Sequence, residues 1–308
     1  MSENLINKGD RGFYHKKNPL NDLTGKEWIY FTNSMLETDF DNEEEFKDWL
    51  NYISDSVIDT RYSTSGEDGF EHKLRKQHPT PKPPQLMRDI IAFFTKEEQT
   101  VLDPFMGVGG TLIGASLINR NAIGIDLDKK YIDIYKEVSK KLGYKIQKTY
   151  IKDALKIDKI KPLSEIQVDA IITDPPYANM MSKAKTGGDK TKKNEIGTLT
   201  PFTENKDDIG NLDYFEFLNS LKIIIEKSLL LLKEKGYLIV FTKDLQPTKQ
   251  HHNMLHADIV QKLSEIDGLN YKGFKIWYDK SLNLFPYGYP YSYVSNQLHQ
   301  YILIFRKG

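Results

Sequence analysis

The chain has 308 residues, a length that suits one large α/β domain or two modest domains with a sizeable hydrophobic core. Its 43 basic and 43 acidic residues cancel, and it contains no cysteine. The lack of cysteine excludes disulfides, thiol catalysis and cysteine-zinc sites and fits a reducing cytoplasm, where we expect the protein to reside. No stretch approaches the roughly 18 apolar residues of a membrane span. We therefore predict no membrane partner, and we predict no metal site.

The charges are unevenly distributed along the chain, although they sum to zero. Residues 37–49 are acidic, "HKLRKQH" at 72–78 is basic, and "KAKTGGDKTKK" at 183–193 holds five lysines and one aspartate. A run of like charge is commonly just solvated surface. Clustered lysines can also hold nucleic-acid phosphates, for which clustering matters more than net charge.

Helices and strands alternate regularly from about residue 80 onward. The pattern predicts helices at 83–95, 111–119, 129–143, 213–236 and 253–266, after one near 43–54. It predicts strands at 100–102, 122–128, 148–154, 168–173, 237–242, 273–280 and 300–307. Strands that alternate with helices favour an α/β fold with a doubly wound, mostly parallel sheet. Ligands of such sheets bind at the carboxyl ends of the strands.

A glycine-rich turn, "DPFMGVGGT", follows the first of these sheet strands. Gly107 and Gly109 allow a tight turn and close approach of a ligand to the backbone. Asp126 ends the next strand, where an acidic residue is placed to bond ribose hydroxyls. The turn lacks the lysine of a phosphate-binding loop, and the carboxylate of Asp103 would repel a pyrophosphate. These features favour a positively charged adenosine cofactor, and S-adenosylmethionine carries an ammonium and a sulfonium.

The stretch "IITDPPY" places a carboxylate, two prolines and an aromatic ring at the end of another strand. An exocyclic amine on a base is a poor nucleophile because its lone pair is delocalised into the ring. The Asp174 carboxylate and the Pro175 carbonyl could accept its two N–H groups, and the prolines Pro175 and Pro176 would hold that carbonyl in place. Tyr177 offers a flat face on which a base can stack.

Five stretches together resemble a known family. They are "HPTPKPPQL" at 78–86, "DPFMGVGGT" at 103–111, "GIDLD" at 124–128, "DPPY" at 174–177 and the closing "HQYILIFRK" at 299–307. They are similar to the amino-methyltransferases that act on exocyclic amines of DNA bases, the class containing the bacterial adenine and cytosine modification methylases. The resemblance implies a Rossmann-like, seven-stranded sheet with an antiparallel last strand.

The resemblance also implies roles for individual residues. Those implied to form the methionine end and the turn of the cofactor site are His78, Thr80, Lys82, Asp103, Phe105, Gly107 and Gly109. Among them, Thr80 and Lys82 would lie near the cofactor's carboxylate. Asp126 would hold the ribose hydroxyls, and Asp153 would bond the amine of the cofactor adenine. The residues implied to be catalytic are Asp174, Pro175, Pro176 and Tyr177.

The chain departs from many relatives because it has no segment long enough for a large target-recognition domain. We divide it into an N-terminal extension, 1–70, and a catalytic domain, 71–308. Recognition of DNA would then fall to the extension, to a lysine-rich insert at 178–212 and to the aromatic loop at 284–297. Lysines of the insert would hold phosphates, and tyrosines of the loop would stack or wedge bases while the target base is flipped out.

The sequence therefore predicts an S-adenosylmethionine-dependent DNA methyltransferase that modifies adenine N6 in a specific sequence of double-stranded DNA. Aspartate in the first position of the tetrapeptide is more typical of the adenine enzymes in this resemblance. Cytosine N4 remains an alternative, followed by a tRNA guanine and by a non-catalytic DNA-binding subunit of a methylase pair. A cognate restriction enzyme or a second methylase subunit would be a partner.

Overall fold

A computed structural model describes residues 4–31, 35–37, 69–177, 203, 205–244, 252–278 and 295–308. The helices of this part are α1 (Gly25–Phe31), α2 (His72–Arg75), α3 (Pro84–Phe94), α4 (Gly110–Leu117), α5 (Lys129–Lys141), α6 (Tyr214–Leu229) and α7 (Leu255–Leu263). The strands are β1 (Leu5–Asn7), β2 (Phe13–His15), β3 (Met35–Glu37), β4 (Thr100–Asp103), β5 (Asn121–Asp126), β6 (Lys148–Ile151), β7 (Val168–Thr173), β8 (Leu232–Thr242), β9 (Leu269–Tyr278) and β10 (His299–Lys307). The first two strands form a separate hairpin.

Strands β3 to β10 form one sheet in the order β3-β9-β10-β8-β7-β4-β5-β6. The last strand, β10, is antiparallel to both of its neighbours, and the other pairs are parallel. The predicted doubly wound, mostly parallel sheet with an antiparallel last strand is therefore confirmed. The described sheet has an eighth strand as well, because Met35 pairs with Ile276 at the outer edge.

Each face of the sheet is covered by its own hydrophobic cluster. Neighbouring residues of β4 point to opposite faces, so Val101 packs in one cluster and Leu102 in the other. The first cluster includes Leu86 of α3 and Leu112 of α4, and the second includes Phe217 of α6. Because both faces are buried, the inner strands are almost wholly apolar, and polar residues collect at the strand ends.

The junction between α6 and β8 differs from the sequence-based expectation of a helix over 213–236. The helix ends at Leu229 and the strand begins at Leu232, which is fully buried and pairs with Val168 of β7. The register with β7 then shifts before the pairing resumes at Tyr237. The buried strand contact therefore overrides the helical pattern, and Gly236 lies within the strand instead of stopping the helix.

The N-terminal segment packs against the sheet domain at α3. The amide of Asn21 donates to the Phe93 carbonyl at 2.6 Å, and the rings of Trp28 and Phe93 lie 5.0 Å apart. The boundary drawn near residue 70 stays a prediction. The predicted helix near 43–54, most of the 178–212 insert and most of the 284–297 loop lie outside the described residues. In the part of the chain that the structure covers, no helix has the length and hydropathy needed to cross a membrane.

Candidate active site

A cleft that is open to solvent lies where the central strands end. Twelve of the thirteen residues singled out by sequence line it. These are His78, Thr80, Lys82, Asp103, Phe105, Gly107, Asp126, Asp153, Asp174, Pro175, Pro176 and Tyr177. Residues almost 100 positions apart in the chain therefore meet at one site, because parallel strands end at the same edge of the sheet.

Gly109 is the one residue of this set that does not line the cleft. Its backbone is left-handed, with φ at +78°, and it caps the start of α4. A Cβ atom at this position would lie 2.2 Å from Cδ2 of Tyr135, whose ring is fully buried. Gly109 therefore allows α5 to pack against the back of the turn and does not itself face a ligand.

Asp103 at the end of β4 ties the turn to the sheet. Its carboxylate accepts hydrogen bonds from the Phe105 amide at 3.0 Å, from the Thr111 hydroxyl at 2.6 Å and from the Thr173 hydroxyl at 2.9 Å. Burial raises the pKa of Asp103 to about 6, against the lowering effect of these bonds. The residue thus joins β4, the start of α4 and the end of β7, and it fixes the shape of the turn.

Asp126 at the end of β5 holds the other side of the turn. One carboxylate oxygen accepts the Gly107 amide at 2.8 Å, and the other accepts the Asp128 amide at 2.9 Å. Burial raises the pKa of Asp126 to about 7, although both bonds favour the ionised form. The carboxylate is therefore held at a fixed place in the cleft lining, where its remaining lone pairs can accept from a diol.

His78 packs against the turn at Gly107. A Cβ on Gly107 would come 3.1 Å from its Nε2, so a side chain there would crowd the imidazole ring. The His78 ring also meets the Tyr131 ring edge to face at 4.7 Å, and its Nδ1 accepts the Thr80 amide at 3.2 Å. Burial, with help from Lys82 and Arg75, lowers the pKa of His78 to about 3, so the imidazole is neutral.

Lys82 contributes its backbone and its ammonium to different contacts. Its carbonyl accepts a hydrogen bond from the guanidinium of Arg75, and a Cβ on Gly110 would come 2.8 Å from that same oxygen. Its ammonium, which lies 5.6 Å from the centre of the Phe241 ring, is ion-paired with Asp174. In the structure this side chain reaches the tetrapeptide, and its implied place near the cofactor's carboxylate stays a prediction.

Tyr177 lies differently from the open stacking surface that the sequence suggested. The residue is only 5% exposed and belongs to the second hydrophobic cluster, and its hydroxyl donates to Asp174 Oδ1 at 2.5 Å. Burial, together with the negative charge of Asp174, raises its pKa well above the ordinary value. Its role in this arrangement is to hold the carboxylate, while part of its surface lines the cleft.

Asp153 caps the short 3₁₀ turn that follows β6. Its Oδ1 accepts the Leu155 amide at 2.9 Å, and its Oδ2 lies 3.0 Å from the ammonium of Lys156. The side chain lines the cleft while making both contacts. A local capping role therefore accounts for this aspartate, and its implied bond to a cofactor adenine stays a prediction.

Several residues of the cleft lining were missed by the sequence reasoning, among them Tyr131, Lys152, Asp207, Asp208 and Ile209. Asp208 is 6% exposed, and its Oδ1 accepts the Gly210 amide at 2.8 Å. Burial raises the pKa of Asp208. The pair of aspartates before a glycine was the available signal, but it lies at the end of the insert, which the sequence did not connect to the cofactor.

The charges around the cleft are mostly negative. Among its described lining residues the aspartates are Asp103, Asp126, Asp153, Asp174, Asp207 and Asp208, and the lysines are Lys82 and Lys152. Such a lining favours a ligand with cationic groups. The fixed Asp126 carboxylate suits a ribose, and the bare backbone at Gly107 leaves room for close approach. The residues present therefore fit S-adenosylmethionine.

Two protein-family models match the chain. A DNA methylase model matches residues 10–137, and the methyltransferase domain of an RMKL-like family matches residues 93–193. The second match includes the tetrapeptide and the turn, and the first includes both glycines and Asp126.

The chain is similar to curated methyltransferases of two kinds. The type II methyltransferase M2.DpnII of Streptococcus pneumoniae is 31% identical over 39% of this chain and 47% of its own length. M.HpaI of Haemophilus parainfluenzae is 44% identical over 21% of each chain. The tRNA (guanine(10)-N2)-dimethyltransferase of Methanocaldococcus jannaschii is 32% identical over 44% of this chain and 39% of its own. The alignments thus span less than half of the length of these relatives.

The fold and the cleft define the class as that of Rossmann-like methyltransferases. Within this class, residues 10–137 match the DNA methylase family, and shorter stretches of the chain are similar to type II methyltransferases. The methyl donor of this family is S-adenosylmethionine, which agrees with the cofactor that the acidic strand end predicted.

Proposed function

We propose that the protein transfers a methyl group from S-adenosylmethionine to the exocyclic amine N6 of adenine in a specific DNA sequence. The observation that carries the proposal is the position of Asp174 and Pro175 on the wall of the same cleft as Asp103 and Asp126. The acceptors for an amine and the cradle for a cationic cofactor therefore share one cavity. The DNA methylase match and the type II relatives support DNA as the substrate.

The chain's residues would divide the work between binding and activation. Asp126 would accept from the ribose hydroxyls, and Asp103 with the glycine turn would hold the cationic end of the cofactor, which supplies an electrophilic methyl group when bound. Asp174 and the Pro175 carbonyl would accept the two amine N–H groups and so return electron density to the nitrogen. Groups placed in advance where charge develops act strongly in a site shielded from water.

The target base must leave the helix before its amine can reach Asp174. The DNA-contacting segments stay proposals: the lysines of the 178–212 insert would neutralise phosphates, and the aromatic loop at 284–297 would support the displaced base. A cognate restriction enzyme or a second methylase subunit is proposed as a partner on the same family grounds.

Cytosine N4 is the nearest alternative target, because the same two acceptors would serve any exocyclic amine. A tRNA guanine is the next, and the archaeal tRNA methyltransferase relative favours it specifically. A non-catalytic subunit is a further alternative, which an intact Asp174 and Tyr177 disfavour.

One experiment separates these alternatives. The purified protein is incubated with S-adenosylmethionine and either unmethylated genomic DNA or unmodified tRNA, and the products are examined by methylation-sensitive sequencing and nucleoside mass spectrometry. We expect N6-methyladenine in DNA at one recurring sequence. N4-methylcytosine, methylated guanine in tRNA, or no product in either substrate would each contradict the proposal and select the corresponding alternative.

A further inference from the structure

Both carboxylate oxygens of Asp174 are engaged by neighbouring side chains. Oδ2 is ion-paired with the ammonium of Lys82, and Oδ1 accepts the Tyr177 hydroxyl at 2.5 Å. The Lys82 and Asp174 side chains are only 7% and 16% exposed, so the pair is largely shielded from water. A charge-assisted bond of this kind is among the stronger ones in proteins. An incoming amine would have to compete with it for the Asp174 carboxylate.

The backbone of Lys82 is fixed, whereas the ammonium at the end of its side chain can exchange one ion-pair partner for another. The carbonyl is held by Arg75 and packs against Gly110. The aliphatic stem of a lysine carries its charge on four rotatable bonds, so the ammonium can move while the backbone stays in place. This combination suits an exchange of ion-pair partners within the cleft.

A ligand carboxylate would find few cations in this cleft. Among the described lining residues the cationic side chains are Lys82 and Lys152. The amide of Lys152 bonds the Asp126 carbonyl at 2.9 Å, which places this residue beside the proposed ribose site. Lys82 is next to Asp174, at the reacting end. A carboxylate bound near that end therefore has Lys82 as its available partner in the described lining.

We propose that Lys82 is a switch residue, whose ammonium pairs with Asp174 in the free protein and with the cofactor's α-carboxylate in the loaded protein. This inference rests on the proposed function. It adds an order of binding, because Asp174 is released to accept the target amine only when the cofactor is in place. Lys82 thereby becomes a positioning residue that acts through Asp174. By linkage, cofactor and target base strengthen each other's binding by the same factor.

The exchange is energetically feasible because the ammonium is paired in both states. Leaving one member of a shielded ion pair without a partner is strongly destabilising, and exchanging one carboxylate for another avoids that cost for Lys82. The Asp174 side chain is 16% exposed, so water can reach its freed oxygen until the target amine binds. Tyr177 keeps its bond to Oδ1 throughout and holds Asp174 in position while Oδ2 is freed.

The test measures binding without any methyl transfer. Calorimetry compares S-adenosylhomocysteine with its decarboxylated analogue, S-adenosyl-3-thiopropylamine, which keeps the adenosine and the amine. The ratio of their affinities reports the contribution of the carboxylate alone. It is measured for the wild type, Asp174→Asn, Lys82→Met, Lys82→Arg and the double variant Asp174→Asn with Lys82→Met.

Asp174→Asn removes the competing charge, so we expect the preference for the carboxylate ligand to rise at least about fivefold, the lower end of typical coupling between sites. Lys82→Met should lose the preference, Lys82→Arg should keep part of it, and the double variant should not show the rise. Tyr177→Phe removes a hydrogen bond to Asp174 but keeps the competing charge, so it should not show the rise.

An unchanged or smaller ratio in Asp174→Asn would overturn the switch while leaving the proposed function intact. Failure of S-adenosylhomocysteine to bind the wild type would overturn the proposed function and the switch together. If Lys82→Met does not fold, Asp174→Asn and Lys82→Arg still decide the outcome, because both preserve the size and polarity of the site.

Discussion

The strand ends of β4 and β5 differ from the strand end of β7 in how their carboxylates are held. Asp103 and Asp126 each accept at least one backbone amide, and Asp126 accepts two. The described bonds of Asp174 come from the side chains of Lys82 and Tyr177. Backbone donors are fixed by the fold, whereas side-chain donors can move. The difference indicates a rigid cradle at β4 and β5 beside an adjustable acceptor at β7.

The largest effect on turnover should come from substitution of Asp174, the adjustable acceptor at the end of β7. Asp174→Ala removes one proposed amine acceptor while leaving the cradle intact, so turnover should fall about 100- to 1000-fold. Asp174→Asn is the matched control, because its amide oxygen can still accept, and its loss should be smaller. Single-turnover methyl transfer beside a cofactor-binding assay tests both. Wild-type turnover in Asp174→Ala would mean that β7 carries no acceptor function.

Substitutions in the rigid turn after β4 should change the stability of the protein instead of the rate of methyl transfer. Gly109→Ala places a methyl group in the Tyr135 ring at a left-handed backbone position, so it should lower the free energy of unfolding by about 2–4 kcal/mol. Gly143→Ala is the control, because its φ is +69° with nothing within 4 Å, and strain alone should cost about 1 kcal/mol. Denaturant unfolding measures both. Equal losses would show that the tight packing behind the turn is unimportant.

Cofactor affinity should depend on the β5 strand end. Asp126→Ala removes the proposed charged acceptor for the ribose and should weaken binding of S-adenosylmethionine by about 1.5–3 kcal/mol. It also removes the bond to the Gly107 amide, so circular dichroism and unfolding must confirm that the turn survives. Calorimetry that finds unchanged affinity in a folded variant would remove Asp126 from the cofactor site.

The raised pKa of Asp126, about 7 in the folded chain, predicts a direction of pH dependence. The folded state then binds more protons than the unfolded state between the ordinary pKa near 4 and about 7. The free energy of unfolding should therefore decrease as the pH rises through this window and level off above it. Asp126→Asn should lack this component, so the difference between the two proteins across pH 4 to 8 isolates it. Parallel curves would contradict the raised pKa.

The smallest effect concerns a segment outside the described residues. If Lys183, Lys185, Lys190, Lys192 and Lys193 contact phosphates, replacing several by glutamine should weaken binding of duplex DNA. The slope of log affinity against log salt should fall by about 0.9 for each phosphate that is no longer neutralised. An unchanged slope would mean that the run is only solvated surface.

The sequence predicted the strand ends well because short-range patterns encode them. The apolar runs that end at Asp103, Asp126 and Asp174 are contiguous, and a parallel sheet brings such ends together by topology alone. The three-residue strand β3 was missed, because its pairing with β9 depends on a contact between distant parts of the chain. For the same reason the end of α6 was misplaced, since Leu232 pairs with β7.

The side-chain partners of the site were less accessible to sequence reasoning. Lys82 and Asp174 are separated by 92 positions. No local sequence pattern predicts which carboxylate forms an ion pair with a given ammonium. Likewise the sequence did not indicate that Tyr177 is almost wholly buried and bonded to Asp174, or that Gly109 packs behind the turn. The position of each site residue along its strand could be predicted from the sequence. The direction in which its side chain points could not.

The segment between β7 and α6 leaves and rejoins the sheet domain at one place. Gly210 packs directly on Pro176, where a Cβ on the glycine would come 2.8 Å from the proline ring. Pro176 and Gly210 are in contact, so the two ends of the segment are already close together. The length and composition of the residues between them can therefore vary with little entropic cost of loop closure. A different insert can therefore be joined to the sheet domain at these two residues. If the insert contacts DNA as proposed, transplanting a related methylase's insert between these two residues should change target choice without redesign of the chemistry.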